Sequence, residues 1–297
     1  MNARALGFPD REELLPLVRA ALGEDRADSD VTTLTLVDEG ARGRAFVETR
    51  HDIVVAGLPL LLLVFAEVDP EAKVCLKAAE GSRAVAGTRL ATVAGSLRSL
   101  LSAERTALNF VQRTCGVATA TRRMVDAVAG TDCIVMDTRK TVPGWRLLDK
   151  YAVRAGGGVN HRLGLWDAVL IKENHIDTGV SPEEAVRRCR EAVPEAAYVE
   201  IEVRSRRELA SAVRGRPDVI MLDNFSVDEV REAVEYVRRE CGRPRDGGPH
   251  IEVSGGIGPA SAAAVASLGV DRISIGAITH SAHAADIALS LERVGGG

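Results

Sequence analysis

The chain of 297 residues carries a formal net charge of -4 and contains 46% hydrophobic and 27% charged residues, a balance typical of a globular enzyme and not of a disordered chain. With 3% aromatic residues it has neither a basic stripe nor a base-stacking platform, so nucleic acid is excluded as a partner class. Its length suits one large α/β domain with a smaller second domain.

The cysteine content indicates a reducing compartment. The chain has five cysteines and no CxxC pair, so we predict reduced thiols in a cytoplasmic protein without a structural zinc site. The longest apolar run near the N-terminus, residues 53–65, is too short to span a bilayer and is interrupted by Gly57 and Pro59. We assign this run to a hydrophobic core, and we expect neither membrane insertion nor secretion.

The first third of the chain predicts a β-rich domain. Asp10 and Glu13 precede the apolar run LLPLVRAAL and form a capping pattern for a helix that we expect to end at Gly23. From Val31 to about Val93, short β-type runs alternate with Gly and Pro. These runs are typical of short strands joined by turns.

A helical pattern follows the β-type runs. It begins at Ser102 in SAERTALNFVQR, is interrupted at Gly116, and resumes as a second helix that ends at Gly130. We place the boundary of the N-terminal domain after residue 115. A C-terminal helix over residues 278–297 is expected to pack back on the same domain.

Beyond residue 130, apolar runs and helical segments alternate regularly. The runs are CIVMDT, DAVLIK, VEIEV, DVIMLD, HIEVS and DRISIG, and Ser-x-x-Glu capping boxes begin at Ser181, Ser205 and Ser226. This alternation predicts a parallel sheet with helices outside it. Because the runs are too few for a barrel of eight strands, we predict an incomplete α/β barrel over residues 116–277, with an open doubly wound sheet as the alternative.

The predicted strands end in charged residues or glycines. In chain order these strand ends carry Arg139-Lys140, Lys172, Glu202, Asp223, Ser254-Gly255-Gly256 and Gly276. Each charge by itself would be interpreted as a solvated loop residue or as part of an ion pair. Because barrel enzymes carry their chemistry at the C-terminal ends of strands, the joint placement predicts a functional site. Three glycines at residues 156–158 indicate a loop whose backbone passes close to another group, and cation-rich strand ends beside such a loop suggest a site for an anion.

The site residues divide into three chemical groups. Arg139, Arg162 and Lys172, together with His161, suit a small polycarboxylate, because a guanidinium group binds a carboxylate through two hydrogen bonds. The glycine-containing strand ends offer backbone N–H groups ahead of helices, which suits a phosphate monoester. Carboxylates at two further strand ends suit magnesium bound to substrate phosphates. An anionic acid, a phosphate and a metal together indicate phosphoribosyl transfer.

Several segments resemble the quinolinate phosphoribosyltransferase family. They are AERTALNFVQR, DTRKTVPGWRLLDKYAVRAGGGVNHRLGLWDAVLIKENHI, VEIEV, MLDNF, EVSGGI and ISIGAITHS, and the resemblance extends from about Leu22 to Leu289. It implies a β-rich α+β sandwich-like N-terminal domain, an open α/β barrel, and a homodimer with sites at the subunit interface, with a hexamer as the alternative. It also implies condensation of quinolinate with phosphoribosyl pyrophosphate to nicotinate mononucleotide, pyrophosphate and carbon dioxide.

The same resemblance assigns roles by motif position. Quinolinate would be held by Arg139, His161, Arg162 and Lys172, with Arg105 supplied by the other subunit. Lys140 would stand between both substrates, and Thr138 of the same motif would also contact substrate. Glu202 and Asp223 would face Mg²⁺ and the ribose, while Ser254, Gly255, Gly256 and Gly276 would bind the 5′-phosphate. Catalysis would be carried by Lys140, Lys172, Glu202 and Asp223.

Three other interpretations remain open from the sequence. A barrel aldolase could use Lys172 or Lys140 as a Schiff-base amine. A regulator without catalytic activity could keep the glycines as a phosphate-binding site. A molybdenum-associated family shares the implied fold, but we expect its members to depart from the Asn160-His161-Arg162 pattern that this chain has.

Overall fold

The computed structural model describes residues 7–293, which form two compact units. The helices are α1 (Arg11–Asp25), α2 (Val31–Leu36), α3 (Pro59–Val68), α4 (Leu97–Ala127), α5 (Arg146–Ala155), α6 (Glu173–Ile176), α7 (Pro182–Ala192), α8 (Arg206–Gly215), α9 (Val227–Cys241), α10 (Pro259–Ala266) and α11 (Ala277–His280). The strands are β1 (Arg42–Thr49), β2 (Ile53–Val54), β3 (Lys73–Leu76), β4 (Arg83–Ala84), β5 (Arg89–Ser96), β6 (Ile134–Met136), β7 (Val169–Ile171), β8 (Val199–Val203), β9 (Val219–Asp223), β10 (His250–Ser254), β11 (Arg272–Ser274) and β12 (Ile287–Arg293). Short 3-10 helices cover Ala27–Ser29 and Pro244–Asp246.

Within the described range, the first unit contains residues 7–122, 141–157 and 278–293. Its main sheet has four antiparallel strands in the order β12-β1-β5-β3. Side chains of β1 alternate between exposed and buried, as expected for a strand with one face on a core. The apolar run at residues 53–65 enters this core through β2 and α3, and Leu60, Leu61 and Phe65 are fully buried. The prediction of a core segment is confirmed.

The C-terminal segment differs from the prediction. Instead of a helix over residues 278–297, the described part contains the short helix α11 and then strand β12, which pairs with β1 in the register Val47 to Leu289. The last four residues of the predicted helix lie outside the described residues. The physical reason is a period of two in IALSLER, where Ile287, Leu289 and Leu291 lie on one face of an extended chain.

Helix α1 confirms the predicted start but not the predicted end. The Glu13 side chain accepts a hydrogen bond from the backbone N–H of Asp10 at 3.1 Å, as in a capping box. The helix continues past Gly23 to Asp25 and ends where Arg26 adopts a left-handed conformation with φ of 49°. The backbone N–H of Arg26 donates to the carbonyl of Gly23 at 3.3 Å and so closes the last turn.

Helix α4 shows that Gly116 does not interrupt the helical pattern. The helix begins at Leu97, before the predicted start at Ser102, and runs without a break to Ala127, so the predicted domain boundary after residue 115 falls inside it. A Cβ atom on Gly116 would lie 2.0 Å from the carbonyl oxygen of His283. Glycine is therefore present because another backbone segment touches the helix, and the conformation at this residue remains helical.

The glycines after α5 also serve packing within the first unit. A Cβ on Gly156 would lie 2.5 Å from the carbonyl oxygen of Ala118, and a Cβ on Gly157 would lie 2.8 Å from the guanidinium of Arg122. These contacts explain why the loop needs glycine, and they involve α4. The prediction that these glycines let the backbone pass close to another group is confirmed for Gly156 and Gly157, and the group they approach is helix α4.

A buried ion pair connects three segments of the first unit. The carboxylate of Asp149, which is fully buried, accepts hydrogen bonds from Arg113 at 3.0–3.2 Å and from the backbone N–H of Val142 at 3.2 Å. Arg113 also donates to the carbonyl of Thr279 at 2.5 Å. The pair therefore fixes the start of the segment that follows Lys140, because both partners are hydrogen-bonded to backbone groups.

The second unit contains residues 123–140 and 158–277. All six predicted apolar runs form strands, and these make one parallel sheet in the order β6-β11-β10-β9-β8-β7. The order from β7 to β11 follows the chain without the reversal of a doubly wound sheet. Among the described residues β6 and β7 do not pair, so the sheet is an open α/β barrel, as predicted.

Local signals position the helices of this unit. The side chains of Ser181, Ser205 and Ser226 each accept a hydrogen bond from the backbone N–H three residues later, at 3.2–3.3 Å. All three serines therefore cap their helices, and at Ser226 the Glu229 side chain also accepts the Ser226 N–H, so of these three helices the complete capping box is confirmed for α9 alone. Within residues 7–293, none of the helices combines the length and the apolar character that a bilayer span requires.

Gly116 provides a test of the packing in the first unit. Replacing Gly116 with Ala should lower the free energy of unfolding by about 2–4 kcal/mol, because the added methyl group overlaps the carbonyl of His283. Gly23 is the matched control, since it also lies in a helix but a Cβ atom added to it would meet no atom within 4 Å. Gly23→Ala should raise stability by about 0.5–1 kcal/mol through helix propensity. Equal effects in urea unfolding would contradict this explanation of Gly116.

Candidate active site

The C-terminal ends of the parallel strands hold nearly all of the predicted site residues. Arg139 and Lys140 follow β6, Lys172 follows β7, and Glu202 lies in β8. Asp223 and Ser254 end β9 and β10 and are paired in register, and Gly276 follows β11. Parallel strands bring these ends to one edge of the sheet. All predicted site residues except Arg105 therefore belong to the second unit.

Lys172 and Glu202 form an ion pair at this edge. Lys172 Nζ donates to Glu202 Oε2 at 2.5 Å, and the two residues follow the aligned positions Ile171 and Ile201 on neighbouring strands. The Glu202 side chain is 7% exposed and that of Lys172 is 45% exposed. The cation therefore reaches solvent while the carboxylate is largely enclosed. His175 accepts the backbone N–H of Lys172 at 2.8 Å and thus has a local structural role.

Arg162 is a buried cation with a second cation beside it. It is 8% exposed, and its Nη1 donates to the carbonyl of Ala168 at 3.1 Å. Burial, followed by the positive charge of Arg139, lowers the pKa of the Arg162 guanidinium. The charge of Arg139 is therefore unfavourable for the charged form of Arg162. A carboxylate bound to Arg162 would offset this unfavourable interaction.

Asp137 holds the segment that carries these residues. It is fully buried after β6, accepts the side-chain N–H of Asn160 at 2.7 Å, and accepts the backbone N–H of His161 at 2.7 Å. Asp137 is not among the residues that the sequence predicted for the site. The available signal was an acid at the end of the apolar run CIVMDT, where an unpaired buried carboxylate would be costly.

His161 lies next to two further carboxylates that the sequence analysis did not identify. Its Nδ1 accepts the backbone N–H of Arg162 at 2.9 Å. Its Nε2 lies 2.9 Å from Glu200 Oε2 and 3.6 Å from Glu252 Oε1. Burial, followed by the charge of Glu200, raises the pKa of Glu252 to about 7. The sequence signal for them was a glutamate inside an apolar run: Glu200 is the second residue of VEIEV, and Glu252 is the third residue of HIEVS.

Thr138 and Lys140 lie in the segment after β6. The backbone N–H of Lys140 donates to the Thr138 hydroxyl at 3.0 Å, which is a local turn contact. Arg139 and Lys140 are exposed, whereas Thr138 is half-buried. The turn therefore presents two cations to solvent at the edge of the sheet.

The turn after β10 depends on glycine. Gly255 has φ of 105°, and a Cβ on it would lie 2.2 Å from Asn224 Oδ1. The backbone N–H of Asn224 donates to the carbonyl of Ser254 at 3.0 Å, and its side chain donates to Asp223 at 2.8 Å. Gly256 is also left-handed, with φ of 59°. Successive left-handed glycines turn the backbone ahead of α10, which is the arrangement that exposes N–H groups to an anion.

Arg105 lies in the first unit, on α4. It is exposed, and it lines a cavity of about 270 Å³ together with Glu24 and Asp25. Within residues 7–293 it forms no ion pair, so the pairing with Glu104 that would explain it as a purely structural residue is absent. Its guanidinium is accessible to a ligand or to another chain.

Glu202 and Asp223 could hold a divalent metal ion. They are oxygen donors on adjacent strands, a set that suits Mg²⁺ when phosphate oxygens supply further ligands. The ion pair with Lys172 does not conflict with this fit, because a carboxylate has several acceptor positions. The site thus combines cations for an anionic acid, carboxylates for a metal, and a glycine turn for a phosphate.

Comparison with known proteins identifies the family. The model for the N-terminal domain of quinolinate phosphoribosyl transferase matches residues 30–115, and the model for its C-terminal domain matches residues 117–290. The nicotinate-nucleotide pyrophosphorylase (carboxylating) of Mycobacterium leprae is 43% identical over 277 residues, covering 92% of this chain and 95% of that relative.

Solved structures give the same result. The nicotinate-nucleotide pyrophosphorylase from Francisella tularensis has a TM-score of 0.89 and 37% identity, covering 97% of this chain and 99% of that one. NadC from Streptococcus pyogenes has a TM-score of 0.89 and 33% identity, with the same coverage of 97% and 99%. These findings confirm the resemblance noted in the sequence. The chain belongs to the quinolinate phosphoribosyltransferase family.

Proposed function

We propose that this chain transfers the phosphoribosyl group of phosphoribosyl pyrophosphate to quinolinate with loss of carbon dioxide, giving nicotinate mononucleotide and pyrophosphate. The observation that carries this proposal is that Arg139 and Lys172 follow β6 and β7 at the C-terminal edge of the sheet, while Arg162 is a buried cation whose pKa is lowered by burial and by the charge of Arg139. Cations gathered at one edge of a sheet suit a planar dicarboxylate. The relatives bear the name of the enzyme for this reaction, which is a step of NAD biosynthesis.

The quinolinate pocket is assigned to Arg139, His161, Arg162 and Lys172, with Thr138 contributing from the turn before Lys140. Quinolinate has two carboxylates, and burying them without cations would be prohibitive. An opposite charge at ~4 Å contributes about 4 kcal/mol at an effective dielectric of about 20. Arg162 is already desolvated, so a carboxylate bound to it meets little competition from water.

Phosphoribosyl pyrophosphate is assigned to the other half of the sheet edge. Ser254, Gly255, Gly256 and Gly276 would bind the 5′-phosphate through the turns that precede α10 and α11. Glu202 and Asp223 would face the ribose and hold Mg²⁺. When bound, the metal ion would neutralise charge on the pyrophosphate leaving group.

The residues assigned here mainly orient and neutralise the reactants. The pyridine nitrogen attacks the anomeric carbon while the bond to pyrophosphate breaks, so both substrates must lie in line. Lys140 would stand between them and stabilise the departing charge, and Lys172 would hold quinolinate while paired with Glu202. The adjacent carboxylate then departs as carbon dioxide, and the quaternary ring nitrogen stabilises the carbanion that remains on the ring. A proton finally binds to this ring carbon in place of the lost carboxylate.

A direct assay tests this function. The purified chain, quinolinate, phosphoribosyl pyrophosphate and Mg²⁺ should yield equal amounts of pyrophosphate and nicotinate mononucleotide. Binding of both substrates without pyrophosphate release would favour a regulator that only binds phosphate. Borohydride trapping of a carbonyl compound on Lys172 or Lys140 would instead favour an aldolase.

We further propose that the chain works in a reducing, cytoplasmic compartment as a homodimer with shared active sites, alone or within a hexamer. Cys75, Cys115, Cys133, Cys189 and Cys241 are all free thiols, which supports the choice of compartment. The exposed guanidinium of Arg105, which has no ionic partner within residues 7–293, supports the shared site. Arg105 would reach quinolinate in the other subunit.

Lys140 and Arg162 should affect the kinetics differently. Arg162→Ala should raise the KM for quinolinate at least tenfold, because it removes a charge-assisted contact worth about 1.5–3 kcal/mol. Lys140→Ala should also lower kcat, since Lys140 contacts the reacting groups. Arg231→Ala, an exposed cation on α9 paired with Asp228, is the control and should leave both constants unchanged. If both site variants change only the KM for phosphoribosyl pyrophosphate, the pocket assignment is wrong.

The metal assignment predicts a shift in magnesium dependence. Glu202→Gln and Asp223→Asn should each move the activity titration to higher Mg²⁺ concentration, because each removes a charged oxygen ligand. Asp228→Asn removes an exposed carboxylate on α9 and should leave the titration in place. Unchanged titrations in both site variants would remove Glu202 and Asp223 from this role.

Mixed dimers test the shared site. An Arg105→Ala chain and a Lys140→Ala chain, each inactive alone, should form heterodimers with one site that has both residues. Random association makes about half of the dimers mixed, so co-refolding should restore about a quarter of wild-type activity. Each variant refolded with itself is the control. Subunit exchange that is demonstrated by mass but restores no activity would show that Arg105 does not act in the other subunit.

A further inference from the structure

Two buried carboxylates lie one step deeper in the second unit than the residues assigned to the substrates. Glu200 precedes Glu202 by two residues on β8, and Glu252 precedes Ser254 by two residues on β10. A period of two places each of them on the same face of its strand as its neighbour at the edge. Glu200 and Glu252 are both 0% exposed, and the proposed reaction does not use either of them.

These carboxylates have little compensation except from His161. None of their four oxygens has a hydrogen bond of good geometry to the described residues, and the Ser274 hydroxyl and the Arg272 guanidinium only partly offset the rise in the pKa of Glu252 that burial causes. His161 Nε2 lies 2.9 Å from Glu200 and 3.6 Å from Glu252. Two buried carboxylates next to one imidazole are costly compared with an apolar pair of similar volume. Packing alone therefore does not explain them.

The other side of the His161 ring links the carboxylates to the proposed quinolinate pocket. His161 Nδ1 accepts the backbone N–H of Arg162 at 2.9 Å, so Nδ1 must keep its lone pair. The ring proton then resides on Nε2, which faces Glu200 and Glu252. The ring of Tyr198 packs edge-on against His161, with 6.2 Å between the ring centroids, and limits its rotation.

We propose that Glu200 and Glu252 are positioning residues that fix the tautomer and orientation of His161, and through Nδ1 the backbone of Arg162. This inference rests on the proposed function, because Arg162 matters only as a ligand for quinolinate. The carboxylates attract the Nε2 proton, which leaves Nδ1 as the acceptor that the Arg162 N–H requires. Arg162 is then held by its backbone at one end and by the Ala168 carbonyl at the other.

Two variants of Glu200 separate positioning from simple stability. Glu200→Met removes both acceptor atoms and should raise the KM for quinolinate about tenfold, which corresponds to about 1.4 kcal/mol, with the KM for phosphoribosyl pyrophosphate nearly unchanged. Glu200→Gln keeps one acceptor oxygen and should give a smaller increase. In histidine labelled with ¹⁵N, the wild-type His161 ring should show the Nε2–H tautomer, and Glu200→Met should shift it toward a mixture.

Glu80→Gln is the matched control. Glu80 is a buried carboxylate of the first unit that accepts the backbone N–H groups of Gly57 and Leu58 at 2.7 and 2.9 Å. Its variant should lose stability but keep both KM values and the His161 signal. If Glu200→Met does not fold, Glu200→Gln is compared with Glu80→Gln. A rise in the KM for quinolinate in Glu200→Gln alone would then support the positioning role of Glu200.

Three outcomes would overturn the inference. The first is an unchanged KM for quinolinate together with an unchanged His161 signal in the Glu200 variants. The second is an equal rise of both KM values. The third is a stoichiometric transition metal in the purified wild type, because the ligand atoms of His161, Glu200 and Glu252 lie within 4.8 Å of one another and Nε2 would then carry a metal and no proton. A wild type that releases no pyrophosphate refutes the proposed function, whereas the tautomer can still be measured.

Discussion

Burial of charged side chains near the C-terminal ends of the parallel strands is the constraint on which the second unit depends. Burial, and then the positive charge of Arg139, lower the pKa of Arg162, so its charged guanidinium needs compensation from its surroundings. Backbone groups supply part of it: the Ala168 carbonyl accepts a hydrogen bond from Arg162, and buried Asp137 accepts the backbone N–H of His161. A buried cation of this kind also favours an anionic substrate.

Polar side chains of this sheet form two layers along the strands. Glu202 and Ser254 lie at the edge, and Glu200 and Glu252 lie one step deeper on the same strands. In the edge layer Ser254 is half-buried and Glu202 is 8% exposed, whereas Glu200 and Glu252 in the deeper layer are fully buried and can act only through their neighbours. A strand period of two produces this division directly, because alternate residues share one face.

Much of the fold followed from local sequence patterns. Apolar runs, serine caps and strand ends predicted all six parallel strands and the edge where the cations meet, because each signal lies within a few neighbouring residues. The errors have a common origin in contacts between distant residues. Gly116 looked like a break, yet it is a point of contact with His283, and Gly156 and Gly157 pack against α4. The C-terminal segment has a period of two, and it forms a strand because it pairs with β1, which lies far away in the sequence.

By itself, the sequence determined the family, the open α/β barrel and the set of cations and carboxylates at the strand ends. Only the tertiary structure revealed which of these charges interact, as in the ion pair of Lys172 with Glu202 and the effect of Arg139 on the pKa of Arg162. It also showed that Asp137, Glu200 and Glu252 are buried beside the segment of His161. The reason is physical: hydrophobic period and capping depend on neighbours in the chain, whereas burial of a charge and its partner depends on residues that only folding brings together.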